Sequence, residues 1–78
     1  MLKIKLKKYD SAYDQFKKYE KKLPGNPNTT FYKGYCLEQM ERIKNAAQEY
    51  RKYLNSVNQG EKAEHAYGRL IEWGYIKQ

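Results

Sequence analysis

Moved along by 34 positions, the chain meets itself. Ala12 falls on Ala46 (46 − 12 = 34), Tyr9 on Ile43, Phe16 on Tyr50 and Tyr19 on Tyr53. The same shift brings Gly34 onto Gly68, Cys36 onto Leu70 and Leu37 onto Ile71, and it lays the turn Pro24-Gly25-Asn26 over Asn58-Gln59-Gly60. Self-similarity at such a period marks stacked supersecondary units, none of which buries its apolar face alone.

The units are helical. Tyr9, Ala12, Tyr13, Phe16, Tyr19 and Leu23 follow one another in steps of three or four, which lines up one face of a helix. Pro24 cannot continue its hydrogen-bond ladder and Gly25 tolerates a left-handed turn. Asn26 then suits an N-cap and Pro27 a first helical position, so a second helix is predicted from Pro27 to about Met40. After Glu41-Arg42, the series Ile43, Ala46, Ala47, Tyr50, Tyr53, Leu54 and Val57 predicts a third helix, and Ala63, Ala66, Tyr67, Leu70 and Ile71 predict a fourth that ends near Gly74. No segment alternates with a sustained period of two, so the expected class is all-α, with short connections that make neighbouring helices antiparallel. Leu2, Ile4 and Leu6 alternate with lysines, which predicts an extended lead-in rather than more helix.

At 78 residues the chain makes one domain with a thin core and marginal stability. With 40% hydrophobic and 32% charged residues it is globular in composition, and no stretch is long and apolar enough to insert in a membrane. Lysines at positions 3, 5, 7 and 8 interrupt the one candidate export signal. Cys36, the single cysteine, excludes an internal disulfide. The formal charge of +7 is compatible with an acidic partner, nucleic acid or an anionic membrane surface, but doublets such as Lys17-Lys18 and Lys21-Lys22 have the spacing of a solvated helix face.

With Gly34, Ala46 and Tyr50 in one unit, and Ala12, Phe16 and Pro24 in the unit before it, the chain resembles the tetratricopeptide repeat (TPR) family, whose helix–turn–helix unit has about 34 residues. The resemblance implies a short right-handed superhelical stack of about four helices, with residues 1–26 a partial repeat, 27–60 a full repeat, and 61–78 a half repeat or capping helix. Small residues at the helix crossings allow close approach while the aromatic fills the space beside them, so Ala46 is expected at the tightest crossing of helices two and three. Thr30 and Lys33, then Glu64 and Tyr67, stand where the family usually has large apolar residues, so the first helices of the units are atypical. The repeats look most like those of bacterial envelope-assembly proteins, such as the TolA-binding coordinator and the outer-membrane assembly lipoproteins, which implies an envelope or periplasmic setting.

The first helices of such units line a groove that receives a segment of another protein. Carried onto this chain, the partner-binding positions are Asn28, Phe31, Tyr35 and Glu38 on the second helix and Lys62, His65, Arg69 and Glu72 on the fourth. Phe31, Tyr35 and Glu38 share one helical stripe, as do His65, Arg69 and Glu72. Aromatic and arginine side chains are those that most often carry interface energy, although Phe31 and Tyr35 also fit a plain packing role. Aromatics at these positions argue against the basic clamp with which some family members hold acidic tails.

No enzyme is expected. Cys36 and His65 lack an orienting third group or an oxyanion-hole motif, one histidine makes no metal site, and no glycine-rich phosphate loop occurs, so no cofactor is called for. Asn28-Thr29-Thr30 fits a glycosylation sequon but is better explained as a helix start, and Trp73 and Tyr75 as a cap on the last helix. The alternative function is a basic helical module for nucleic acid, in which tyrosines would stack on bases. Because the first helix lacks most of its partner, the chain is also expected either to self-associate through that helix or to belong to a longer array.

Overall fold

The computed structural model describes residues 2–77, with side chains from residue 8 onward. Four helices follow in order, α1 (Leu2–Lys22), α2 (Pro27–Gln39), α3 (Ile43–Ser56) and α4 (Glu61–Glu72), with no strand among the described residues. Each helix packs chiefly on its neighbours in sequence, and the α2–α3 interface is the most extensive. The short connections reverse the chain at every step, giving a layered stack with its core between α2, α3 and α4.

Local chemistry explains the boundaries. Asn26 caps α2, its side-chain oxygen accepting the Asn28 backbone N–H at 2.9 Å, and Pro27 opens the helix. At the other end, the backbone N–H groups of Glu41 and Arg42 donate to the carbonyls of Glu38 and Leu37, a closing pair that requires a left-handed residue between helix and exit. Glu41 fills that place at φ +62° without being glycine. The exit from α4 is built the same way, with Gly74 at φ +85° and the Tyr75 N–H donating to the Leu70 carbonyl.

The N-terminus corrects one expectation. Leu2 to Leu6 belong to α1 rather than to an extended lead-in, while Met1 lies outside the described residues. Leucine and lysine are good helix formers, and once the amphipathic turns from Tyr9 onward have nucleated, each further residue adds a hydrogen bond at small entropic cost. Leu2 and Leu6 are also four residues apart, so the same residues satisfy a helical period.

Repeat positions in the interior are tightly packed. Ala46, Tyr50 and Leu70 are wholly buried, and Tyr50 lies across Gly34, where an added Cβ would stand 2.7 Å from ring atoms Cδ1 and Cε1. Gly34→Ala should therefore destabilise the fold by about 1–2 kcal/mol, overpacking outweighing the helix propensity gained. Gly68, 34 residues further along, has nothing within 4 Å of such a Cβ, and there the same change should stabilise by about 0.5–1 kcal/mol. Chemical denaturation of the two variants reads both signs, and equal effects would mean that the two glycines are not packed differently.

Candidate functional site

Helices α2 and α4 meet through long side chains around one carboxylate. Glu38, on the last turn of α2, is nearly enclosed. The Tyr50 hydroxyl donates to its Oε1 at 2.6 Å, and Arg69 Nε forms an ion pair with its Oε2 at 2.8 Å. His65 Nε2, in the tautomer that carries its proton there, donates to Oε1 at 3.1 Å. His65 and Arg69 stand four residues apart on α4, so a single stripe of that helix delivers both. Arg69 reaches on to Glu72 through a second ion pair. The charge of Glu38 holds the Arg69 guanidinium still more firmly protonated, while burial and the bond to Glu38 push the Tyr50 hydroxyl far above its ordinary value.

Aromatic rings wall this centre. Phe31 stacks on Tyr50 with centroids 5.6 Å apart and meets His65 edge-on, Tyr35 leans on His65, and Trp73 lies parallel to Tyr50 at 6.0 Å. Tyr35 also meets Tyr9 of α1 edge-on at 6.1 Å, so that it links α1 and α2 to His65 of α4.

Of the eight residues placed in the groove by sequence, Phe31, Tyr35, Glu38, His65, Arg69 and Glu72 do converge. Phe31 is buried against Tyr50 and Tyr53, in line with the packing role that the sequence left open for it. Glu38 spends both its oxygens inside the fold. Asn28 is exposed at the start of α2, away from this centre, and Lys62 places its ammonium 5.4 Å from the centroid of the Tyr32 ring. Tyr35, His65 and Arg69 remain only half-buried. Trp73 covers the core as expected, whereas Tyr75 stays exposed.

Sequence reasoning missed a second polar centre on the other side of α2. Lys33 is 6% exposed and its Nζ lies 2.6 Å from Glu20 of α1 and 3.6 Å from Glu49 of α3. Burial works to lower its pKa, but the hydrogen bond to Glu20 and the charges of Glu49 and Glu20 outweigh it, and the ammonium is held above its ordinary value. Two signals bore on it: Lys33 stands where the resemblance puts a large apolar residue, and it lies four residues from both Thr29 and Leu37 on one stripe of α2.

Cys36 is buried, and burial pushes its thiol up, the opposite of what a nucleophile needs. Among the described residues no three His, Cys, Asp or Glu side chains converge as metal ligands, and no helix is long and apolar enough to cross a membrane.

The raised groups set the alkaline limit of stability. Cys36, Tyr35 and Tyr50 all hold their protons more tightly folded than unfolded. Their contribution is whole below about pH 8.5 and drains away as pH rises through about 10, where the unfolded chain ionises first. The urea midpoint should fall over that window, and Tyr50→Phe should flatten the fall. A midpoint that stays level to pH 10.5 would contradict the burial of these groups.

Set against protein-family profiles, curated proteins and solved structures, the chain gives no significant match.

Proposed function

We propose that this chain is a tetratricopeptide-like repeat segment that works as a non-enzymatic scaffold, holding a segment of another protein along the seam between α2 and α4. The observation that carries this is the joining of the two first helices through Glu38, His65 and Arg69. These bonds fix the distance and orientation of the seam before any partner arrives, so little ordering cost remains at binding. Half-exposed Tyr35, His65 and Arg69 are the side chains left to contact a partner, and they are of the types that concentrate interface energy. Arg69 is already paired with two carboxylates, which argues against its serving as the cation of a clamp on acidic tails.

The test compares retention of proteins from the source cell by wild type and by Tyr35→Ala, with exposed Arg51 of α3 changed to alanine as control. Tyr35→Ala should reduce capture at least tenfold, on the order of the loss of one aromatic anchor, and Arg51→Ala should not. Capture unaffected by Tyr35→Ala would rule out the seam.

Nucleic-acid binding is less well supported, because the tyrosines at repeat positions of α3 are spent in the core: Tyr50 and Tyr53 are both buried. Retained RNA or DNA that is lost steeply between about 50 and 200 mM salt would reverse that preference.

A further inference from the structure

We propose that the two ends of the stack are complementary, and that a second copy of this chain seats its α1 in the groove beside α4, so that copies continue the stack head to tail. The 34-residue shift maps α1 onto α3 and α4 onto α2, and α2 with α3 forms the largest interface within the chain. An α4 followed by the α1 of another copy repeats that interface in sequence and in register.

Burial at equivalent positions shows which surfaces are unfilled. On the inner helix α3, Tyr50 is wholly buried and Tyr53 is 4% exposed; on α1 the equivalent Phe16 is only half-buried and Tyr19 is 57% exposed. On α2, Gly34 is covered by the Tyr50 ring and Lys33 is buried; on α4 the equivalent Gly68 is bare and Tyr67 is 46% exposed. The missing ring for Gly68 is supplied by Phe16 of the incoming copy. Beside Tyr67 lies an open, largely apolar groove of about 560 Å³ lined by Leu54, Ala63, Tyr67 and Ile76. Leu54, Ala63 and Tyr67 are the counterparts of Glu20, Thr29 and Lys33, and two of those three, Glu20 and Lys33, belong to the ion cluster that α3 completes with Glu49. The groove is thus the place that an α3-like helix occupies one repeat earlier.

Charge favours the same pairing. An antiparallel approach like that of α3 to α2 brings the end of α1, with Lys21 and Lys22, to the start of α4, with Glu61 and Glu64. Cations at a helix C-terminus and anions at an N-terminus also suit the two macrodipoles. The contact joins two different patches, so it does not close on itself, and successive copies extend as open chains.

The test is sedimentation equilibrium of the 78-residue chain over a concentration series, with one variant blocking each end. Gly68→Arg fills the bare seat on α4, Tyr19→Lys spoils the incoming face of α1, and both positions are exposed, so the fold is kept and circular dichroism verifies it. Tyr67→Lys is a second block of the α4 end should Gly68→Arg fail to fold. Wild type exceeds twice its 9.4 kDa monomer mass and grows with concentration. Each variant alone remains a monomer, because one of its ends is dead. An equimolar mixture of the two stops at pairs, joining the live α1 of one to the live α4 groove of the other. A monomeric wild type at all concentrations, a Gly68→Arg variant that still associates, or a mixture that does not pair would each overturn the proposal. Addition of high salt weakens the association where Lys21, Lys22, Glu61 and Glu64 contribute. The outcome is independent of whether the α2–α4 seam holds another protein.

Discussion

Lys33→Met is expected to destabilise the chain by about 2–3 kcal/mol, and adding Glu49→Leu to recover most of that loss. The methionine keeps the length and apolar stem of lysine but removes the cation paired with Glu49 among the described residues, and the Glu49 side chain is almost wholly enclosed. Glu49 Oε1 already lacks a hydrogen-bond partner, since Lys33 stands 3.6 Å away, within ion-pair range but too long to bond. Without the ammonium that oxygen has neither bond nor counter-charge. Removing one member of a fully buried pair costs about 3–5 kcal/mol; the lower figure here reflects Glu20, whose side chain is about a third exposed and can turn to water. The double variant leaves an apolar pair where the charges were, and such replacements are often neutral. Denaturant midpoints at constant slope measure both values. If Lys33→Met alone were neutral, water must already reach the cluster.

The same cluster marks where the sequence stopped being legible. Helix boundaries were readable because their causes are local: Asn26 and Pro27 start α2 by adjacency, and the turn at Asn58-Gln59-Gly60 needs no partner. The 34-residue spacing was readable because it needs only the chain laid against itself, yet the structure fills its two glycine positions differently, Gly34 against the Tyr50 ring and Gly68 against nothing within 4 Å. Lys33 was not, because its partners lie 13 residues before and 16 after it (33 − 20 and 49 − 33), on two other helices. The Glu38 centre was half legible. Its members were chosen as one stripe each on α2 and α4, yet periodicity cannot tell whether two facing stripes will wait for a partner or pair with each other. At Glu38 and Arg69 they pair. The N-terminal turns failed for a different reason: alternation over five residues is too short to separate a strand from a helix end, and the growing helix decided it.

Glu38→Ala should cost about 2–3 kcal/mol, most of it through a group that the substitution does not touch, the Tyr50 hydroxyl. Tyr50 is wholly buried and its hydroxyl donates to Glu38 at 2.6 Å. Truncating the acceptor leaves that donor unpaired, worth about 1–3 kcal/mol, and removes the packed stem of the glutamate. Arg69 and His65 lose the same partner, but each is about a third exposed and water takes the place of Glu38 at small cost. Glu38→Gln keeps an acceptor for the hydroxyl and gives up only the charge, so it should cost about 1 kcal/mol or less. Tyr50→Phe removes the donor itself. Combined with Glu38→Ala, it should therefore add less than its own separate effect, with a coupling of about 1–2 kcal/mol in a double-mutant cycle. Additive losses in that cycle would place the energy of this centre in the Arg69 and His65 contacts, and the seam between α2 and α4 would then be held by its exposed rim rather than by the bond beneath it.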